Sequence, residues 1–154
     1  MNLIYALIAA AHVLAGAAWF GAMLYSLMIL HPRARSFFGK PRAFEDFVAH
    51  IAAGARWKVL GGAAFIALTG LALLGRPTTG PLSSGKWICL IVKIILFLAT
   101  VSLFCYASWV LWPARVMGST EDIPRFQRRF RVIGITLLVL VGTSMVIGVV
   151  SAHS

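Results

Sequence analysis

Polar side chains almost vanish from four long stretches of this chain, and the points where they return divide it into segments. Residues 2–30, 56–75, 87–112 and 132–151 are apolar runs, each near or above the ~20 residues a helix needs to cross a bilayer. All six prolines, at positions 32, 41, 77, 81, 113 and 124, fall between these runs or at their ends. Proline removes a backbone donor and interrupts a helix, so this punctuation predicts four unbroken helices over approximately residues 2–30, 51–75, 87–112 and 131–151. Between the first two runs the pattern changes: Phe44, Phe47, Val48 and Ile51 recur at helical spacing among Arg33, Arg35, Lys40 and Arg42. The second helix is therefore expected to begin near Pro41 and to lie partly in the head-group layer before turning inward. Residues 75–86 contain Gly75, Gly80, Gly85, Pro77 and Pro81 and read as a turn-rich connection too short for an external domain.

The pattern also repeats weakly. Leu30-His31-Pro32-Arg33-Ala34 is echoed by Leu111-Trp112-Pro113-Ala114-Arg115, and Arg56-Trp57-Lys58-Val59-Leu60-Gly61 by Arg129-Phe130-Arg131-Val132-Ile133-Gly134. His12 stands 20 residues before the first of these prolines and Lys93 stands 20 before the second. Two helical hairpins related by a pseudo-twofold axis along the membrane normal would bring both groups to one depth, with a site between the first and third helices. The expected fold is thus all-α: an integral membrane four-helix bundle of two pseudo-repeated helical hairpins, forming one domain over residues 1–154.

Charge supplies the orientation. The net charge is +10, but its distribution speaks for topology and against nucleic acid. Arg33, Arg35, Lys40, Arg42, Arg56 and Lys58 flank the first connection, and Arg115, Arg125, Arg128, Arg129 and Arg131 flank the last. Arg76 and Lys86 alone mark the middle one, and the termini carry none. Eleven basic residues against two place the N- and C-termini outside and the two long connections in the cytoplasm. The expected location is the plasma membrane, the inner one in a bacterium, as a multi-pass protein. Anionic lipid head groups are the expected partners of the basic loops. The first run lacks a basic leader and is too long for a signal core, so it reads as a retained helix.

Few side chains could carry chemistry. There is no CxxC, HExxH, P-loop or GxGxxG pattern, and Glu45, Asp46, Glu121 and Asp122, the only acids, all lie in the basic connections; hydrolysis and nucleotide use gain no support. Cys89 and Cys105 stand 16 residues apart on one predicted helix, ~24 Å at 1.5 Å per residue and beyond disulfide reach. His12 is the only titratable group within the first span. Ionisable groups inside spans are functional candidates by default, here as a metal or haem ligand or proton carrier, with an interhelical hydrogen bond as the plainer alternative. Trp19, seven residues on and nearly in line with His12, is placed to wall a pocket. Lys93 sits ~10 Å below the outer end of the third helix, either snorkelling outward or facing an anion within the protein. Thr69 in the second helix, and Thr143 with Ser144 in the fourth, fall at similar depth and extend the polar shell. His31 and His50 belong near the cytoplasmic face and His153 near the outer end, so no second histidine is level with His12. Met23, Met28 and Met145 and the cysteines are soft donors suited to Cu(I) but unclustered. Three arrangements stay open: haem on His12 with an unusual or absent second ligand, a second ligand from a partner subunit, or no metal.

These residues resemble the superfamily of four-helix membrane proteins that includes the copper-resistance protein D (CopD) domain and the HemJ-type protoporphyrinogen oxidase. HVLAGAAWFGAMLY in the first helix looks like that group's opening histidine, tryptophan and glycine-rich turn. ARWKVLGGAAFIALTGLALL, GKWICLIVK and RFQRRFRVIGITLLVL resemble its second helix with Thr-Gly, the Gly-to-Lys approach of the third, and the start of the fourth. The chain departs from the HemJ-type pattern at residues 131–134, where Asn-Glu-x-Pro is usual, at residues 26–28, where Leu-Pro-Arg is usual, and at Phe104, where a histidine is usual. It is closer to a divergent CopD-like protein. The resemblance implies binding of haem b or a metal by His12, with Lys93 and Arg56 as important polar positions, and a role in redox transfer or metal handling. Copper transport or resistance, with copper as the bound metal, is the alternative, and a cofactor-free membrane accessory subunit a third. A homo-oligomer or a redox partner subunit is the protein partner this implies.

Overall fold

The structure, a computed structural model, describes residues 3–75 and 84–153, and among these helix is the only regular secondary structure, with no strand. Helix α1 (Leu3–Tyr25) continues through one π-helical turn (Ser26–Leu30) into α2 (His31–Phe38) without leaving the helical path. The third span repeats this: α5 (Ser84–Tyr106), a π-helical turn (Ala107–Leu111), then α6 (Trp112–Met117). Between them lie α3 (Pro41–Ala52) and α4 (Ala55–Leu74); a 3-10 turn (Thr120–Asp122) leads into α7 (Ile123–His153). Four helical paths are long and apolar enough to cross a membrane: Leu3–Phe38, Ala55–Leu74, Ser84–Met117 and Ile123–Ser151.

Two boundaries differ from the sequence reading. Pro32 and Pro113 lie inside continuous helices, not at their ends, because the turn before each is widened. A proline ring would strike the carbonyl four residues back, that of Met28 or Trp109, and a π turn redirects those carbonyls without breaking the helix. In the first span the Ser26 carbonyl accepts the His31 backbone N–H, and His31 Nδ1 lies 2.7 Å from the same oxygen. The two π turns stand 81 residues apart, the same separation as His12 and Lys93.

The other difference is the second helix, which does not run on from Pro41. Gly54 adopts φ +73°, a conformation open to glycine at little cost, and separates α3 from α4. Helix α3 buries Phe44 and Val48 against Ala34, with Phe38, Phe47 and Trp112 packed around them, while Ile51 stays 42% exposed. Its apolar stripe thus closes on the protein, chiefly on α2 and α6. Residues 76–83 are outside the described residues, and with them most of the expected turn-rich connection; α5 already begins at Ser84.

The spans pack as antiparallel neighbours. Tyr5 donates to the Gly75 carbonyl at 3.1 Å and His12 pairs with Thr69 at 2.8 Å, so α1 and α4 run in opposite directions. Phe20 against Gly142 and Leu27 against Gly134 define the same relation between α1 and α7. At Gly134 a Cβ would stand only 2.7 Å from a Leu27 methyl; glycine there lets the two backbones approach. Helix α5 packs along α7, and Trp57 at the start of α4 meets Trp109 of the third span at 5.9 Å.

Outside these contacts the helices remain apolar. At most 6% of the residues in any span's apolar window are buried within the protein, and Leu3, Leu14 and Leu68 are 71%, 68% and 66% exposed. Water would not tolerate so much contiguous apolar surface, so the chain is a multi-pass membrane protein whose solvent at these faces is lipid. Exposed Trp57 and Trp109 at one end of the spans and Trp87 at the other lie where aromatic belts form.

Helix α3 is fastened by charge. Arg115 Nε and Nη2 both lie 2.6 Å from Glu45 Oε2, and Gln127 Nε2 donates to Oε1 at 2.8 Å. The two charged side chains are only 8% and 14% exposed. The guanidinium also lies over Trp112 and Phe130, 5.5 and 4.9 Å from their ring centres. Burial alone would raise the Glu45 carboxyl, but hydrogen bonds from Arg115 and Gln127, with the charges of Arg115 and Arg42, hold it below its ordinary 4.5. A depressed carboxyl stabilises the fold fully above its unfolded value and loses that contribution as pH falls through its lower folded value. Glu45→Ala is therefore expected to cost about 3 kcal/mol, the low end for breaking a buried pair. Thermal unfolding in detergent at pH 7 and below pH 4.5 checks this: the gap between wild type and variant narrows on acidification, whereas a pH-independent gap contradicts it.

Candidate functional site

Three half-buried polar groups of the spans lie at one level. His12 projects from the middle of α1 and its Nδ1 lies 2.8 Å from Thr69 Oγ1 on α4. The threonine hydroxyl has a single proton, which it donates to the Phe65 carbonyl at 2.8 Å, with the Ile66 carbonyl 3.1 Å away. Its oxygen is thus left as an acceptor for the ring. This balance assigns the imidazole proton to Nδ1 and leaves Nε2 with a free lone pair. Gly70 makes the approach feasible: a Cβ there would stand 3.2 Å from His12 Cε1.

Lys93 is half-buried on α5, and the Phe20–Gly142 and Leu27–Gly134 contacts, continued along α7, bring His12 opposite the same stretch of α7 that Lys93 meets. Its ammonium rests over Gly148 of α7, where a Cβ would come within 3.3 Å of Nζ. The sequence-equivalent pair is therefore brought to a common level, with α7 packing against both parent helices. Thr143 takes an exposed position and Ser144 is half-buried.

Trp19 and Arg56 belong to a different place. Both line a cavity of about 550 Å³ in the basic half of the protein, together with Phe104, Trp112, Arg115 and Arg131. Thirteen residues of α4 separate Arg56 from Thr69, ~20 Å along the helix at 1.5 Å per residue. The guanidinium of Arg56 lies 5.6 Å from the Trp109 ring centre. The five sequence candidates consequently divide into an imidazole–hydroxyl–ammonium layer and an aromatic–guanidinium layer.

The donor set around His12 is sparse. Among the described residues no three His, Cys, Asp or Glu side chains cluster as a metal site. Cys89 and Cys105 are half-buried free thiols, and Met28 is 66% exposed. What the layer offers is one oriented imidazole and one lysine side chain able to pair with an anion.

Sequence reasoning passed over two features. Glu45 was grouped with the loop acids, although an acid inside an amphipathic stripe opposite an arginine-rich loop is a signal for a tie. Among the described residues Thr100 is the most buried polar one, at 2% exposure, and donates to the Leu96 carbonyl of its own helix at 2.7 Å; nothing in its local sequence distinguishes it. No family model, curated protein or solved structure matches this chain.

Thr69→Val tests the tautomer. In ¹⁵N-histidine spectra the His12 ring is expected to show Nδ1–H in the wild type and a mixture with Nε2–H in the variant, with a stability loss of about 0.6–1 kcal/mol, typical of a hydroxyl tie between spans. An Nε2–H signal in the wild type would contradict the assignment.

Proposed function

We propose that this protein is a four-helix bundle of CopD/HemJ type, with both termini outside the plasma membrane, that holds b-type haem or a related metal centre on His12 Nε2 and acts in redox transfer or metal handling. The observation that carries this reading is the Thr69 bond, which presents Nε2 unprotonated and oriented. Metal-bound imidazoles characteristically donate their other N–H to a fixed acceptor, which sets the tautomer and raises ligand basicity. The donor chemistry fits a group needing one protein imidazole; any further protein ligand would come from a partner subunit or a second copy of the chain.

The residues have separable tasks. Thr69 orients the ring and holds its proton at Nδ1. Gly70 gives the ring space against α4. Lys93 offers a cation to an anionic substituent such as a propionate, and the apolar spans exclude water from the layer. Haem, when bound, supplies one-electron redox chemistry. Arg56, about 20 Å along α4 from Thr69, serves anions in the other layer instead.

The proposed orientation rests on the eleven-to-two division of basic residues and on the tryptophans at the span ends. With Cys89 and Cys105 replaced, a Ser36→Cys variant is expected to react with an impermeant maleimide only after the cells are permeabilised. Labelling in intact cells would reverse the topology.

A second reading is favoured by the same bond: His12 and Thr69 form an interhelical tie in a cofactor-free accessory subunit. Ultraviolet-visible spectra of the purified protein, oxidised and dithionite-reduced, with metal analysis, separate the two. A Soret band with reduced α and β bands that is lost in His12→Ala and weakened in Lys93→Met is the expected result. Bound copper without a Soret band would favour copper handling, and a folded, metal-free preparation the accessory role.

A further inference from the structure

The aromatic–guanidinium cavity has no part in the His12 layer, and its chemistry specifies a ligand of its own. Arg35, Arg56 and Arg131 all line it, and among the described residues the only ion pairs are Arg42–Asp46 and Arg115–Glu45. Arg115 is neutralised by Glu45, so the three other arginines at the cavity, exposed Arg35 and Arg131 and half-buried Arg56, stand at its mouth with no carboxylate among the lining residues. Cations gathered at the edge of a low-dielectric interior favour an anion between them, and guanidiniums suit phosphate oxygens. An inorganic anion would leave the rest of the cavity unfilled, because its walls are Trp19, Phe104 and Trp112 along with aliphatic side chains. A volume of about 550 Å³ lies within the ~300–1,000 Å³ of small-molecule sites.

We infer that this cavity binds an amphipathic anion, its acidic head held by Arg35, Arg56 and Arg131 and its apolar body lying against the aromatic walls, and that the source is an acidic phospholipid of the surrounding membrane. The phospholipid is favoured because the cavity lies among membrane-spanning helices and its basic residues sit at the span ends, level with Trp57 and Trp109, where head groups lie. Such a lipid would bridge all four spans from within. This inference is independent of whether His12 holds a cofactor.

The full-length protein in a mild non-ionic detergent, titrated with phosphatidylglycerol or phosphatidylcholine of matched chains and read by native mass spectrometry, tests it. One phosphatidylglycerol per chain is expected to survive where phosphatidylcholine dissociates. R56Q/R131Q should weaken phosphatidylglycerol by about thirtyfold, the loss of two cation–phosphate attractions, whereas R125Q/R128Q, outside the cavity, should retain wild-type binding. Ala22→Phe, which adds bulk to the wall without touching charge, should also reduce occupancy and serves if the double variant does not fold. Equal binding of the two lipids, or equal losses in R56Q/R131Q and R125Q/R128Q, would reduce the effect to general attraction by the basic loops and overturn the site. Oleate displacing phosphatidylglycerol at a lower concentration would overturn the phospholipid as its source.

Discussion

Hydrocarbon offers backbone amides no partner, so each span must satisfy its hydrogen bonds within its own helix. This constraint shapes the chain most visibly where it is hardest to meet, at Pro32 and Pro113. A broken helix would leave carbonyls unpaired near the membrane. The widened turns at Ser26–Leu30 and Ala107–Leu111 keep the ladder going instead, and in the first a histidine side chain joins the backbone at Ser26. The extended paths carry α2 and α6 past the apolar zone, where they form the platform for α3. The Glu45–Arg115 pair thus depends on two prolines that the helices absorb.

Polar groups within the spans are segregated by depth. In the half of the spans nearer the termini, His12, Thr69 and Lys93 are few, close and accommodated by glycines at 70 and 148. At the basic end the groups are larger, aromatic or guanidinium, and surround open volume. The first arrangement suits a ligand bound through one directed lone pair; the second suits a ligand bound by charge and area. A single small molecule reaching from Thr69 to Arg56 would have to span about 20 Å, so the two layers are separate designs.

Much of this was legible in composition and spacing. Four apolar runs are unambiguous, and a histidine or lysine within them attracts attention because its burial is costly. The repeat aligned His12 with Lys93, and helical counting put Thr69 at a similar depth. The break at Gly54 was not legible, because a glycine in an alanine-rich segment reads equally as a helix-packing residue; only its positive φ marks the turn. Nor was the cavity, since it depends on how four helices splay, and no residue's local sequence encodes that. The grouping of Trp19 and Arg56 with His12 failed for the same reason: helical periodicity gives a face, whereas a shared site also requires a shared depth.

The paired π turns have one more consequence, for angular phase. Inserting a residue into a turn rotates everything beyond it by ~100° relative to an uninterrupted α-helix. Twenty-three residues separate His12 from Arg35, which on a uniform helix would set them ~140° apart in azimuth; with the extra residue absorbed, the difference falls to ~40°. A helical wheel drawn straight through Tyr25 would therefore set Arg35 on a face far from that of His12, although it borders the cavity enclosed by the spans. Because both halves carry the same phase step at the same register, their basic ends turn together relative to the apolar portions of the spans, and the inward face of the protein is one surface above the step and another below it.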